Sequence, residues 1–320
     1  MGVATMSEQE VIRYLDEINE RPPINVLTAE KFLSMELPER ELLMSPWLPA
    51  QGLVMVYAPR GIGKTFFALS VAYAIASGGE FLLWKAAKAR KVLYIDGEMP
   101  ANVMQERIRS IIDSAPKDAD GDSLKIITPD LQGYEGIPSL STSIGQLEIE
   151  KHLENVSLVI IDNISTLCRG GIENDAESWL PVQQWALKLR AKGISVLFVH
   201  HAGKGGQQRG TSRREDVLDT VINLKRPNDY SPEKGAAFEV HFEKSRGFTG
   251  EDAEPLEVEL LQNENKLFWD WKKLEDSTYE RVIELYQDGL KPAEIARELE
   301  KNRSTVSRHL KKAKSVGAIR

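Results

Sequence analysis

One stretch constrains the fold more than any other, the segment MVYAPRGIGKTFFALSVAYAI at 55–75. It consists of a short apolar run, a loop that carries two glycines and a Gly-Lys-Thr sequence, and a second apolar run at helical spacing. A strand that turns through such a loop into a helix points successive backbone N–H groups at one spot, where the helix dipole also favours an anion. The segment therefore predicts a strand, a phosphate-binding loop and a helix.

In phosphate-binding loops of this kind a lysine reaches the β- and γ-phosphates and a hydroxyl binds Mg²⁺. The residues in position to bind the nucleotide are Arg60, Gly61, Ile62, Gly63, Lys64, Thr65 and Phe66. Ala58 stands where the strict pattern has its first glycine, but its methyl group is small and the two inner positions are still glycine. We expect an ATP site here. The alternative is a chance Gly-Lys-Thr, against which the flanking strand and helix argue.

Two further strands end in carboxylates. LVIID at 158–162 is apolar and ends in Asp162, the form needed to hold a Mg²⁺-bound water roughly a hundred residues after the loop. YIDGE at 94–98 ends in two acids, and Glu98 is the candidate base that polarises the attacking water. The alternative for Glu98 is a helix-capping acid.

A fourth strand runs into two histidines, His200 and His201. A histidine at a strand end beside the γ-phosphate can sense whether that phosphate is present, and we take His201 as the candidate. A purely structural histidine is the alternative for either residue.

Apolar strands alternate with helices through most of the chain. Strands are expected at 53–57, 91–95, 124–127, 158–161 and 195–199, and helices at 64–77, 100–113 and 176–192. Short, fully apolar strands between helices indicate a parallel sheet covered on both faces. After residue 215 strands dominate, at 217–223, 237–244 and 255–261, and these either extend the sheet or add an antiparallel edge.

Three regions follow from this pattern: an N-terminal helix and linker (1–45), with the helix expected at 7–19, the α/β core (46–272) and a small helical tail (276–320). The single cysteine, Cys168, excludes a disulfide within one chain, and the five histidines show no metal-site spacing. No apolar run approaches the length of a membrane span, so we expect no membrane partner and a cytoplasmic location.

The tail carries an unusual share of positive charge. Residues 301–320 hold seven Lys or Arg and no acid, and removing them from the net charge of −7 leaves −14 on the first 300 residues. Helices at 279–288, 292–299 and 305–315, the last capped by Ser304, form a helix-turn-helix pattern. The candidate contacts to duplex DNA are Arg303, Ser304, Thr305, Ser307, Arg308 and Lys311. A three-helix oligomerisation cap is the alternative.

With these strand ends placed, residues 45–265 resemble the core of RecA-type ATPases, and are most similar to the RepA-like and DnaB-like ring helicases. APRGIGKT resembles the Walker A motif, LVIID the Walker B motif, and YIDGEMP the segment that carries the catalytic glutamate in that family. The resemblance implies a RecA-like, mostly parallel sheet flanked by helices. It also implies ATP and Mg²⁺ as cofactors, catalytic roles for Lys64, Glu98 and Asp162, and metal binding by Thr65 and Asp162.

Two more segments extend the resemblance. FEKSRGFTG at 242–250 resembles an element whose lysine and arginine reach the neighbouring subunit's nucleotide, which makes Lys244 and Arg246 candidate residues acting in trans. VLFVHHAGKGGQQRGTS at 196–212 resembles a strand-end histidine followed by a loop, in which Lys204 and Arg209 are candidate contacts to single-stranded DNA. Solvated charges on an exposed strand are the alternative for Lys244 and Arg246, and a disordered surface loop is the alternative for Lys204 and Arg209. The tail resembles winged or resolvase-type helix-turn-helix domains.

The resemblance implies a homo-oligomer, a hexameric ring, that hydrolyses ATP as a DNA helicase or translocase of a plasmid, phage or mobile element. Two other functions stay open: a DNA-binding regulator switched by ATP, and a recombinase or helicase loader that forms filaments on DNA.

Overall fold

The computed structural model describes residues 24–169, 176–203, 215–227, 230–263 and 266–319. The chain divides into two compact units, one ending at Glu39 and the other beginning at Arg40. In the first unit, helix α1 (Ala29–Leu33) is capped by Thr28, whose hydroxyl accepts a backbone N–H of the first turn at 3.2 Å. The helix predicted at 7–19 lies outside the described residues.

The second unit contains the strands and the remaining described helices. Its strands are, in chain order, β1 (Leu42–Met44), β2 (Leu48–Pro49), β3 (Leu53–Ala58), β4 (Glu80–Phe81), β5 (Trp84–Lys85), β6 (Lys91–Asp96), β7 (Leu124–Ile127), β8 (Val156–Asp162), β9 (Ser195–His201), β10 (Thr220–Lys225), β11 (Ala237–Ser245), β12 (Leu256–Asn263) and β13 (Lys266–Lys273). Its helices are α2 (Lys64–Ser77), α3 (Ala101–Ser114), α4 (Ser143–Glu150), α5 (Ile164–Leu167), α6 (Ala176–Ala191), α7 (Leu274–Gln287), α8 (Pro292–Glu298) and α9 (Arg303–Ser315). Among the described residues, no helix combines the length and apolarity needed to cross a membrane.

A nine-stranded sheet is the centre of this unit, in the order β13-β12-β11-β10-β3-β9-β8-β6-β7. The strands from β10 to β7 pair in parallel, and their side chains are largely buried on both faces. One core cluster packs α2 against one face, and a second packs α6 against the other. This arrangement confirms the expected α/β class, because apolar strands joined by helices bury both sheet faces.

The antiparallel edge is longer than the sequence indicated. Strands β11, β12 and β13 pair in antiparallel fashion beyond β10. Strand β13, which pairs with β12 along its full length, was not among the expected strands. Its sequence KLFWDWKK is rich in charge and mostly exposed or half-buried, so it lacks the apolar run that marked the inner strands.

The segment before the first parallel strand is part of the core. Trp47 is fully buried, and its ring lies 5.4 Å from that of Trp84, edge to face. The hydroxyl of Thr220 donates to the carbonyl of Trp47 at 2.8 Å. Two short hairpins, β1–β2 and β4–β5, place these aromatic rings against Phe67 on α2.

Helices α7, α8 and α9 form the predicted helix-turn-helix tail around their own small core, which contains Val306 and Leu310. Helix α7 begins at Leu274, earlier than predicted. The prediction that Ser304 caps the last helix is wrong: α9 begins at Arg303, and Asn302 is the residue in the capping position. A helix boundary one or two residues away is an ordinary error for a sequence in which Asn, Arg, Ser and Thr follow each other.

Candidate nucleotide site

The predicted phosphate loop joins β3 to α2 at the carboxyl edge of the parallel strands. Gly61 and Gly63 both have positive φ, +73° and +112°, which side-chain-bearing residues rarely adopt. Gly63 also lies close to the residue before β11, because a Cβ added there would lie 3.0 Å from the Cβ of Ala236. Ala58 by contrast is the last residue of β3, fully buried and in the extended conformation of a strand. The two glycines that the backbone requires are therefore present.

Lys64 is the first residue of α2 and is almost fully buried. Its ammonium donates to the carbonyl oxygens of Ala58 and Pro59, at 3.1 and 2.7 Å. Burial lowers the pKa of Lys64 to about 8, against the opposing effect of the Asp162 and Glu98 charges. The lysine is thus held in the loop by neutral carbonyl groups, which an anionic ligand can replace.

Asp162 ends β8, directly opposite Asp96 at the end of β6. Tyr94, also on β6, donates its hydroxyl to one oxygen of Asp162 at 2.7 Å. Burial raises the pKa of Asp162, while hydrogen bonds from Tyr94 and Thr65 and the charge of Lys64 oppose that rise. The Asp162 carboxylate is therefore held between Tyr94 of strand β6 and the first turn of α2.

Glu98 sits on a tight turn after β6. Asp96 accepts the backbone N–H of Met99 at 2.8 Å, so the turn closes around its carboxylate. Burial raises the pKa of Asp96 to about 7, with that N–H acting against the rise. Gly97 is required by space, because a Cβ there would lie 2.3 Å from the hydroxyl of Thr166. The turn presents Glu98, whose side chain is 47% exposed, toward His201.

His201 ends β9 beside Ala58, its partner on β3. Its Nε2 lies 3.2 Å from the side-chain amide nitrogen of Asn163 and 3.6 Å from a carboxylate oxygen of Glu98. Burial, followed by the charge of Lys64, lowers the pKa of His201, while Glu98 opposes the decrease. His200 is also buried. His201, the candidate that the sequence predicted, lines the cavity.

These groups line one open cavity of about 600 Å³, a size suited to a nucleotide. The predicted residues that line it are Arg60, Gly61, Gly63, Lys64, Thr65, Phe66, Glu98, Asp162 and His201. Ile62 is the exception, since its side chain is buried in the core. The loop, both acidic strand ends and the histidine thus come together as expected.

Five lining residues were not among the sequence candidates: Asp96, Met99, Arg107, Asn163 and Ala236. The guanidinium of Arg107, on α3, lies over the ring of Phe66 at 4.5 Å. A lone arginine inside an amphipathic helix gives no sequence signal, because charged residues on helices usually face solvent. Asp96 and Asn163 did carry a signal, as polar residues at the ends of apolar strands.

Lys244 and Arg246 lie at the other end of the sheet. Strand β11 runs antiparallel to β3, so the first residue of β11 is near Gly63. The last residue of β11 lies about 27 Å from the first at the usual rise per residue. There the Lys244 ammonium donates to the carbonyl of Glu215, and the Arg246 guanidinium donates to that of Asp216 at 3.4 Å. The pair does not join the cavity of its own chain.

The candidate nucleic-acid contacts fall into two groups. On α9, Arg303, Ser304, Ser307, Arg308 and Lys311 are exposed and Thr305 is half-buried. Arg308 pairs with Glu275 of α7 at 3.2 Å, both side chains being mostly exposed. Lys204 and Arg209 lie outside the described residues.

The cavity suits Mg²⁺ by the chemistry of its donors. A hydroxyl (Thr65) and a carboxylate (Asp162) interact at its floor, and hard oxygen ligands are those that Mg²⁺ prefers. Among the described residues there is no cluster of three or more His, Cys, Asp or Glu side chains able to hold a metal by itself.

Fold and site together define a class: a RecA-type P-loop ATPase with a C-terminal helix-turn-helix. A family model described as an AAA domain matches residues 18–207, well over half of the chain, and the protein belongs to that family. A second model, described as bacterial regulatory protein of the arsR family, matches residues 285–318.

Among characterised proteins, the chain is similar to the DNA repair protein RadA of Campylobacter jejuni. The two are 27% identical over 190 residues, which is 58% of this chain and 36% of RadA. The chain therefore matches little more than a third of that relative's length.

Proposed function

We propose that the protein is an ATP-hydrolysing, ring-forming DNA helicase or translocase of the RepA-like type, acting in replication of a plasmid, phage or mobile element. The observation that carries the proposal is the separation between the cavity and the pair Lys244 and Arg246. A cation pair that cannot reach its own nucleotide can serve a neighbouring copy. Head-to-tail contacts of this kind generate rings or helical filaments.

In the proposed reaction the loop amides and Lys64 hold the β- and γ-phosphates of ATP. The oxygen of a water molecule attacks the γ-phosphorus while its proton passes to the carboxylate of Glu98, and the bond to the ADP oxygen breaks. Bound Mg²⁺, held through Thr65 and Asp162, would supply positive charge to the phosphate oxygens. The Arg246 guanidinium of the adjacent copy would stabilise the charge that develops in the transition state.

The DNA-binding part of the proposal depends on the tail. Helix α9 exposes hydroxyl and basic side chains along one stretch, and such groups suit phosphate and base-edge contacts in a duplex. Single-stranded DNA would pass through the ring. The match to the arsR family model supports a duplex-binding role for this region.

Glu98→Gln in the full chain tests the motor. The amide keeps the size of the side chain but cannot take up the proton, so we expect ATP binding to persist while hydrolysis falls by about 10²–10⁴-fold and unwinding stops. Unwinding at the normal rate in this variant would contradict the proposed base and the motor.

Electron microscopy of the Glu98→Gln protein with ATP and single-stranded DNA tests the assembly. A closed six-fold ring is the expected result. Filaments would instead favour a recombinase or loader, the alternative that the similarity to a DNA repair protein supports. A dimer would favour an ATP-switched regulator.

Lys311→Ala tests the tail. Duplex affinity should fall, and the slope of log affinity against log salt should decrease by about 0.9, since one phosphate contact is lost. Lys125→Ala, at an exposed position on the edge strand β7, is the matched control and should change neither quantity.

A further inference from the structure

Asn163 makes a contact whose donor and acceptor can be assigned without ambiguity. Its side chain is buried at the end of β8, next to Asp162. The backbone N–H of Ser165 donates to one terminal atom of the Asn163 amide at 2.9 Å. A backbone N–H can only donate, so that atom is the amide oxygen. The other terminal atom, which lies 3.2 Å from Nε2 of His201, is therefore the NH₂ group.

The orientation of Asn163 decides which nitrogen of His201 carries the proton. An amide NH₂ can only donate, so Nε2 must accept through its lone pair and the ring proton must be on Nδ1. With a proton on Nε2, the ring N–H would point at the NH₂ group of Asn163, and neither group could accept a hydrogen bond. The same Nε2 lies 3.6 Å from Glu98, beyond hydrogen-bond distance. Asn163 and Glu98 thus require different states of Nε2. A hydrogen bond from Asn163 requires a lone pair on Nε2, whereas a hydrogen bond to Glu98 would require a proton on Nε2.

We propose that Asn163 is a positioning residue that keeps the His201 proton on Nδ1, and so prevents His201 from binding the Glu98 carboxylate. With the proton on Nδ1, the one N–H of the neutral ring lies at a buried position that has no hydrogen-bond partner among the described residues. The Glu98 carboxylate stays free to receive a proton from water. That last step rests on the proposed function, whereas the position of the proton follows from the hydrogen bonds alone.

The proton can be located directly by long-range ¹H–¹⁵N NMR on the full chain, free of nucleotide, with ¹⁵N-labelled histidine. His201→Gln identifies the His201 signals among the five histidines. We expect the wild-type His201 to be neutral with its proton on Nδ1. A wild-type spectrum with the proton on Nε2 overturns the proposal, whatever the ATPase activity.

Asn163→Asp tests the cause of that preference. Aspartate has nearly the same shape, but it turns an acceptor oxygen toward Nε2, so the proton should move to Nε2 or the ring should become doubly protonated. A spectrum unchanged from wild type overturns the role of Asn163. Ser165→Ala is the matched control: it retains the backbone N–H that orients Asn163 and should keep the wild-type tautomer. Should Asn163→Asp fail to fold, Asn163→Ala serves, with release of the proton to Nε2 as the expected result.

Asn163→Ala also tests the effect of Asn163 on the rate of ATP hydrolysis. With its donor gone, Nε2–H can bind Glu98 and compete with water for the base, so kcat should fall by about tenfold or more. An unchanged kcat overturns the effect on Glu98. An inactive wild-type protein would overturn the proposed function instead, and the assignment of the His201 proton would still stand or fall on the spectrum.

Discussion

The two ends of the central sheet differ in how much of a site one chain supplies. At the carboxyl ends of β3, β6, β8 and β9, a loop, two acidic strand ends and a histidine surround a single cavity. At the opposite end, Lys244 and Arg246 donate to main-chain carbonyl groups, and no described residue of the nucleotide cavity is near them. One end therefore forms a nearly complete site, while at the other end two cations donate to main-chain carbonyl groups outside that cavity.

The difference has a physical cause in strand direction. Parallel strands deliver their last residues to one edge of the sheet, so residues far apart in sequence converge there. Strand β11 runs the other way and carries its last residues to the opposite edge. Burial, and then the charge of Arg246, lowers the pKa of Lys244, while the charges of Glu215, Asp216 and Asp219 oppose the decrease.

The largest effect that this comparison predicts is for Arg246→Ala. If Arg246 completes a neighbour's site, kcat for ATP should fall by about 10³–10⁵-fold, because a trans arginine stabilises transition-state charge. ATP binding to the chain's own cavity should persist, since Arg246 does not line it. Steady-state hydrolysis and equilibrium nucleotide binding measure the two quantities.

Mixing provides the control for this prediction. Arg246→Ala subunits have an intact cavity, and Lys64→Ala subunits have an intact arginine, so mixed assemblies should regain part of the activity. No recovery at any mixing ratio would count against action in trans. Arg109→Ala, an exposed arginine on α3, should behave as wild type.

The parallel half of the fold was predictable because its signals are local and strong. Apolar runs bounded by glycine or acidic residues marked β3, β6, β8 and β9, and each lies within two residues of its expected place. The edge was less predictable. Strand β13 has one side toward solvent and the other under α3, so its sequence mixes charge with aromatic residues and shows no clear period.

The candidate site was predictable where chemistry is tied to a motif, and not where it depends on packing. Lys64 and Asp162 follow from the loop and the strand end. Arg107 enters the cavity only because α3 crosses above Phe66, a long-range arrangement that sequence spacing does not encode. The contact between Asn163 and His201 likewise depends on the pairing of β8 with β9.

A smaller effect concerns pH at the cavity. Since burial lowers the pKa of Lys64 to about 8, the free protein loses this positive charge as pH rises through that value. Phosphate binding favours the charged form and raises the pKa of the complex. Affinity for ATP should therefore be nearly full at pH 7, about half of that at pH 8 and about tenfold weaker at pH 9 than at pH 7, or roughly 1.4 kcal/mol. Calorimetric titration across this range measures the change.

Lys64→Arg separates this charge from other causes. Arginine stays protonated throughout, so its ATP affinity, even if weaker overall, should not vary between pH 7 and 9. A parallel decline in the variant would assign the pH dependence to another group.

The smallest effect is expected for Ala58→Gly, which restores the first glycine of the strict motif. Ala58 is a fully buried strand residue, paired with His201, so nothing in its conformation requires glycine. The change should leave ATP affinity unaltered and lower the free energy of unfolding by about 1 kcal/mol, from added backbone freedom and a lost buried methyl group.

Gly63→Ala is the opposite case, because its φ of +112° and the 3.0 Å approach to Ala236 leave no room for a methyl group. Gly63→Ala should impair nucleotide binding, which would show that the strict requirement for glycine lies in the loop itself. Denaturant unfolding and ATP titration of both variants measure these effects. An equal loss of ATP affinity in the two variants would contradict this distinction.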